Sequence, residues 1–322
     1  MTPRCPRCAP RASSPDLARR RAVASLAMAL EPYSSFDVPV AGGSLHVGRW
    51  GEGDKVLVAA HGITGNHRSW QGVARALGPD VSLVAPDLRG RGLSSKLPPP
   101  FGMRAHADDL VAVLDHLSLD RAVLTGHSMG AYVATTAATA HAARWTAVVL
   151  VDGGVALPLP RGVDPDDMLA GVLGPALTRL ETTFPDRAAY HAFWRQHPAL
   201  TEPGAWTADT EAWLDHDLTG HEPELRSSAS LEAVRFDGRE LLVDQAVRRA
   251  FMEMTQPSVL LRAPRGLLNQ VPPLLPDELI DPLRARWPIR LEMLVDNTNH
   301  YSIILSSRGA KAVASHLTAA FP

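Results

Sequence analysis

The chain has 322 residues, of which 45% are hydrophobic and 20% charged, and its formal net charge is -2 at pH 7. That length suits one large domain or one domain carrying an insertion, and the composition supports a packed core. A near-neutral balance removes the electrostatic reason to expect nucleic acid or an anionic membrane as main partner, and no apolar run approaches the ~18 residues of a membrane span.

Residues 1–30 read as a disordered tail. Cys5 and Cys8, in Cys-Pro-Arg-Cys, are the only two cysteines. A lone pair lacks the second pair of ligands that zinc needs, so no disulfide or metal is expected in the folded part. Arg19, Arg20 and Arg21 precede an alanine-rich stretch containing Ala27-Met28-Ala29. This has the outline of a secretory leader with a weakly apolar middle. The expectation is a cytoplasmic protein, with secretion as the alternative.

From about residue 36, short apolar runs alternate with helical stretches. Residues 36–40 and 45–50, joined by Ala41-Gly42-Gly43, predict an antiparallel hairpin. Residues 56–60, 81–85, 122–125 and 147–151 are apolar runs of the kind that strands buried on both faces show. Helical patterns lie between them at 70–77, 106–117 and 131–143. Strand alternating with helix predicts a mostly parallel, twisted sheet with helices on both faces. The alternation stops after Gly154. Residues 155–256 hold Trp194, Trp206, Trp213, several prolines and amphipathic runs at 168–180 and 246–254, and predict a helical insertion. Strand-like sequence returns at 258–261 and 291–295, followed by a helix over 308–319. The core is therefore expected over 31–154 and 257–322.

Three strand ends carry groups suited to acyl chemistry. Gly126-His127-Ser128-Met129-Gly130 follows one strand and opens an alanine-rich helix. This is the G-x-S-x-G pattern, in which two glycines allow a turn so tight that the serine hydroxyl projects above the sheet. His61-Gly62-Ile63 follows the strand at 56–60. Its turn would present the Ile63 N–H beside that of Met129, forming an oxyanion hole, while His61 and Gly62 shape the loop. Asn299-His300-Tyr301 lies between the last strand and the last helix. A general base there would reach the serine across the top of the sheet, and histidine titrates near neutrality. Asp87-Leu88-Arg89-Gly90-Arg91-Gly92 reads as a loop-shaping segment, because its glycines do not open a helix as a phosphate-binding loop requires.

Taken in chain order – His-Gly turn, Asp87–Gly92 loop, G-x-S-x-G elbow and, after the insertion, His300 – the four segments resemble the α/β-hydrolase family over about residues 36–154 and 257–322, with the insertion corresponding to its helical cap. The resemblance implies Ser128 as nucleophile, His300 as base, and Ile63 and Met129 as oxyanion donors, with Gly126 and Gly130 supporting the elbow. It also implies an acid just after the strand that follows the cap. The sequence departs there, because Leu261 to Asn269 holds no Asp or Glu. Asp152 is the substitute, at a strand end where haloalkane dehalogenases of the family place their acid. Asn269 and Asp296 stay open as alternatives; Asn269 would hold the ring without stabilising its charge.

A serine at the elbow suits acyl carbonyls, whereas family members that attack alkyl carbon use Asp there. The expected activity is hydrolysis of a carboxylic ester, with a small to medium apolar acyl group under the Trp-bearing cap and no metal or organic cofactor. A lactone or C–C bond hydrolase, a small-molecule receptor that has lost catalysis, and a membrane-attached lipase are the competing expectations.

Overall fold

Strands that are apolar along their whole length need cover on both faces, and helices supply it. The computed structural model describes residues 32–202 and 204–322. The Cys5–Cys8 pair and the Arg19–Arg21 run lie outside the described residues. Strands β1 (Tyr33–Val40) and β2 (Gly43–Trp50) form the antiparallel hairpin at one edge. The core then runs β3 (Lys55–Ala60), α1 (Gln71–Ala76), β4 (Val81–Pro86), α2 (Met103–His116), β5 (Ala122–His127), α3 (Met129–Ala140) and β6 (Trp145–Val151).

The insertion follows as α4 (Pro165–Leu173), α5 (Pro175–Thr178), α6 (Arg187–Arg195), α7 (Ala208–Asp217), β7 (Leu218–Thr219), β8 (Arg226–Ser227), α8 (Leu231–Val243) and α9 (Gln245–Glu253). The run expected over 168–180 breaks at Gly174, whose positive φ of 49° and following proline stop the helix. A two-stranded ladder, β7 with β8, was not expected; strands of two residues leave no periodic signal. Helix α9 packs against α3, so the end of the 155–256 segment rests on a core helix. The chain closes with β9 (Ser258–Arg262), α10 (Asp277–Arg284), β10 (Ile289–Leu294), α11 (Ser302–Leu305) and α12 (Ser307–Ala319).

One sheet of eight strands results, in the order β1-β2-β4-β3-β5-β6-β9-β10. Strands β3 to β6, β9 and β10 pair in parallel, and β2 joins β4 antiparallel. From β3 the chain steps one way to β4, then from β5 the other way to β6 and β9. Loops leaving β3 and β5 therefore part company at their carboxyl ends, opening the crevice where α/β sheets bind ligands. The α3 residues from Met129 to Ala138 are all buried, and their small side chains let the helix lie close on the sheet. Several helices open on a polar cap visible in the sequence: Asp164, Asp186, Thr207, Ser230, Asp244 and Ser306 each accept an amide of the first turn. Among the described residues no helix is long and apolar enough to cross a membrane.

Candidate active site

Ser128 stands alone between β5 and α3, with φ 56° and ψ -123°. A non-glycine residue with positive φ is uncommon, and such strain persists only where the surroundings enforce it. The flanking glycines show how. A β-carbon on Gly126 would lie 1.9 Å from the carbonyl oxygen of Gly130, and one on Gly130 would lie 2.1 Å from that of Ala60. The Ser128 amide donates to the Val151 carbonyl at 3.0 Å, locking the turn to the end of β6.

His300 is buried and sits just ahead of α11. Asn299 fixes it there: its Oδ1 accepts the amides of Tyr301 and Ser302 at 3.0 and 2.9 Å, and the Ser302 hydroxyl accepts the Asn299 amide at 2.8 Å. This is a reciprocal helix cap. The Nδ1 of His300 lies 2.7 Å from Oδ2 of Asp152. Asp152 is fully buried, has φ 46°, and accepts the Ala263 amide on its other oxygen at 3.0 Å. The carboxylate is thus held by the neighbouring strand end and presented to the ring.

The two alternatives stand elsewhere. Asn269 donates to Glu202 at 3.2 Å and accepts from Asn299 at 3.1 Å, one step removed from the ring. Asp296 is exposed on the surface loop after β10.

Ser128 and His300 face one cavity of about 430 Å³, counting its open mouth, together with Gly62, Ile63, Trp213 and Tyr301. A second arm of about 520 Å³, again counting its mouth, shares the walls Ser128, Ile63, Leu173 and Leu267 with it and runs under the insertion. Ile63 and Met129 both border that second arm. The Ile63 amide meets no protein acceptor among the described residues. Met129 opens α3, where helix geometry leaves N–H groups without an intrahelical partner. A β-carbon on Gly62 would come 3.3 Å from the Ser128 β-carbon and 3.7 Å from its hydroxyl, so glycine leaves room in front of that side chain.

Buried histidines brace this cavity in neutral form. His61 accepts the Leu88 amide on Nε2 at 2.9 Å, so its proton is on Nδ1, which donates to the Gly62 carbonyl at 2.8 Å. Burial pushes its pKa down to about 3. His127 has a role that sequence reasoning missed. Its Nε2–H donates to the carbonyl of His300 at 2.7 Å, tying the elbow to the backbone of the other key residue. Burial, and then the neighbouring His300, hold its pKa well below the ordinary range. The histidine inside the G-x-S-x-G pattern was the available signal, but a partner 173 positions away was not. Of the three insertion tryptophans, Trp213 reaches the cavity; Trp194 packs wholly inside, and Trp206 donates to Glu211.

Among the described residues, His46, His67 and Asp87 bring metal-ligating atoms within 4.8 Å of one another. Asp87 already accepts from the His67 amide, His67 Nδ1, His216 Nε2 and the Leu93 amide, so its oxygens are committed to a hydrogen-bonded knot. That knot holds the segment read from sequence as loop-shaping.

Comparison with known proteins places this geometry in context. The profile of a family described as alpha/beta hydrolase fold matches residues 55–223. The lipase LipV of Mycobacterium tuberculosis is 38% identical over 141 residues, which is 42% of this chain and 53% of that one. The N-formylmaleamate deformylase of Pseudomonas putida is 39% identical over 127 residues, 37% of this chain and 47% of the other. The chain spans about half the length of these curated relatives. Among solved structures, an E-2-(acetamidomethylene)succinate hydrolase matches with a TM-score of 0.69 at 24% identity, over 88% of this chain and 98% of that one, a likeness of fold.

Proposed function

The chain belongs to the α/β-hydrolase family, and from that premise we propose that it is a serine hydrolase cleaving carboxylic esters with an uncharged, apolar acyl group. One observation carries the reading: Asp152 meets Nδ1 of His300 at 2.7 Å while His300 and Ser128 border one cavity. A carboxylate on Nδ1 fixes the tautomer that leaves Nε2 free to accept a proton, and it stabilises the imidazolium once formed. In this reading His300 takes the Ser128 proton as the hydroxyl attacks the acyl carbon. The oxyanion develops beside the Ile63 and Met129 amides, each such donor being typically worth ~3–4 kcal/mol. His300 then protonates the departing alcohol, and water repeats the sequence on the acyl-enzyme.

The substrate class follows from the cavity walls. The arm under the insertion is lined by Met168, Leu169, Val172, Leu241, Leu242 and Leu274 among others, and no charged side chain borders either arm among the described residues. An aliphatic acyl chain gains roughly 0.8 kcal/mol per buried methylene there. A carboxylate on the substrate would find no counter-ion. Residues 155–256 act in this reading as the cap that roofs the arm. An acid-free loop after β9 would suit a receptor that has lost catalysis; the Asp152–His300 bond supports the enzyme reading instead.

The test pairs turnover of a p-nitrophenyl ester series with fluorophosphonate labelling of the wild type and Ser128→Ala. The expected result is kcat/KM rising from acetyl to hexanoyl esters, and labelling that vanishes in the variant. Labelling that persists in Ser128→Ala would remove the nucleophile assignment. A preference for carboxylate-bearing esters would remove the substrate class.

A further inference from the structure

Arg91 lies in the loop after β4, yet its side chain is wholly buried. Its Nε donates to the carbonyl of Ile63 at 2.9 Å, and one terminal nitrogen donates to the Arg89 carbonyl at 2.7 Å. The same nitrogen binds the carboxylate of Asp237, which belongs to α8 in the insertion. The other terminal nitrogen lies 3.9 Å from the sulfur of Met129. One guanidinium therefore touches both residues whose amides were assigned to the oxyanion.

Asp237 is also fully buried and completely used. One oxygen accepts the Gly102 amide at 2.6 Å, and the other accepts His106 Nε2 at 2.9 Å besides Arg91. Despite the cost of burial, the Arg91 charge and the hydrogen bonds from His106 and Arg91 pull its carboxyl down to about 2. Glu240, on the same helix, accepts the Met103 amide. Helix α8 thus supplies the cap that Gly102 cannot give α2. The docking is close: a β-carbon on Gly90 would come 2.5 Å from that of Ala233 in α8, and the Ser230 amide donates to the Gly90 carbonyl at 2.7 Å.

The peptide units around Ile63 are pinned from both sides. The Gly62 carbonyl, which shares a peptide plane with the Ile63 N–H, accepts His61 Nδ1 at 2.8 Å and the Gly65 amide at 2.9 Å. The Ile63 carbonyl is held by Arg91. With both neighbouring carbonyls fixed, the direction of the Ile63 N–H is fixed, and bonds accepted by the Gly62 carbonyl polarise that N–H.

We propose that Arg91 and Asp237 are positioning residues that couple docking of the insertion to the aim of the Ile63 oxyanion donor. Neither touches the substrate. The pair ties helix α8 to the loop after β3, so the oxyanion site is complete only with the insertion seated. The proposal rests on the serine-hydrolase reading.

The experiment compares wild type with Arg91→Lys and with the double variant Arg91→Met/Asp237→Leu. Lysine keeps the charge but cannot reach Ile63, Arg89 and Asp237 together. The double variant removes both buried charges, a replacement that folded proteins commonly tolerate. Folding is checked by thermal midpoint. The rate of fluorophosphonate labelling, kcat and KM, and hydrogen exchange over residues 61–66 are then measured. The expected result is labelling and kcat lower by about 10- to 100-fold with KM within about threefold, since one oxyanion donor is typically worth 10²–10³ in kcat. Exchange at 61–66 should quicken. Folded variants with wild-type kcat and labelling would overturn the proposal, as would a loss confined to KM. If Ser128→Ala labels like wild type, the nucleophile reading has failed instead. Hydrogen exchange then decides alone: faster exchange at 61–66 keeps the coupling, and unchanged exchange ends it.

Discussion

The loops that leave β6 and β9 start side by side, with Val151 paired to Leu261 and the Asp152 amide donating to the Leu261 carbonyl at 2.7 Å. Their side chains serve different ends. The first loop holds Asp152 fully buried against the His300 ring. The second carries Asn269, whose amide group spends itself on Glu202 and Asn299. Asn299 in turn caps the helix start that carries His300. One loop thus supplies charge to the imidazole, and its neighbour steadies the backbone beneath it. The lesson is that place decides which side chain meets the ring: the end of β6 puts Asp152 against Nδ1 of His300, and the loop after β9 leaves Asn269 one step away.

The sharpest way to break this comparison is to neutralise the first loop. Asp152→Asn should lower kcat on the order of 10⁴-fold, because the amide favours the wrong tautomer and leaves the imidazolium unstabilised. Moving the acid to the second loop, as Asp152→Asn/Asn269→Asp, should recover less than about threefold of that loss. The new carboxylate would face Glu202 and Asn299 instead of the ring. Recovery measured by kcat on a p-nitrophenyl ester would show the loops to be interchangeable and end the distinction.

Next comes His61, which braces a loop in neutral form. His61 has a folded pKa of about 3, below its ordinary value of 6.5. Below pH 6.5 the unfolded chain gains a proton that the folded protein refuses, so stability falls as pH drops toward 3. At pH 5 this one residue should cost roughly 2 kcal/mol. Urea midpoints compared at pH 7 and pH 5 measure it. Equal midpoints would contradict the neutral, buried role.

Weakening the second loop's support should give smaller effects. Asn299→Ala removes a helix cap typically worth ~1 kcal/mol; it should lower the thermal midpoint by a few degrees, on the order expected for that loss, and kcat by about tenfold or less. A larger loss of kcat than Asp152→Asn would reverse the ranking of the two loops. In the apolar arm, Val172→Phe should shift the best acyl chain to a shorter one with a discrimination of about tenfold, since one methylene in such a pocket is worth ~1–3 kcal/mol. An unchanged chain-length profile would place the acyl group in the other arm.

Much of this arrangement is legible in the sequence because it is local. The G-x-S-x-G elbow, the His-Gly turn and the polar caps of the helices are written within a few residues, and the central strands β3 to β6 carry near-continuous apolar runs. Asp152 is offered by the family resemblance, which lets an acid stand at that strand end when the loop from Leu261 to Asn269 holds none, but the sequence leaves Asn269 and Asp296 open beside it. The unread features join distant positions. His127 meets His300 across 173 positions, and Arg91 meets Asp237 across 146. No periodicity encodes such contacts. An arginine between glycines at a strand end was the one hint that a guanidinium would be folded inside. The short ladder of β7 and β8 was silent for a different reason, being too brief to alternate.

Whether Ser128 carries the acyl group decides the account most directly. The protein is mixed with a slowly hydrolysed apolar ester, quenched in acid, and examined by intact-mass and peptide mass spectrometry. The account predicts one added acyl mass, located on the peptide containing Ser128 and absent in Ser128→Ala. Ester turnover with no such adduct at any quench time, or with the acyl mass on another residue, would contradict it.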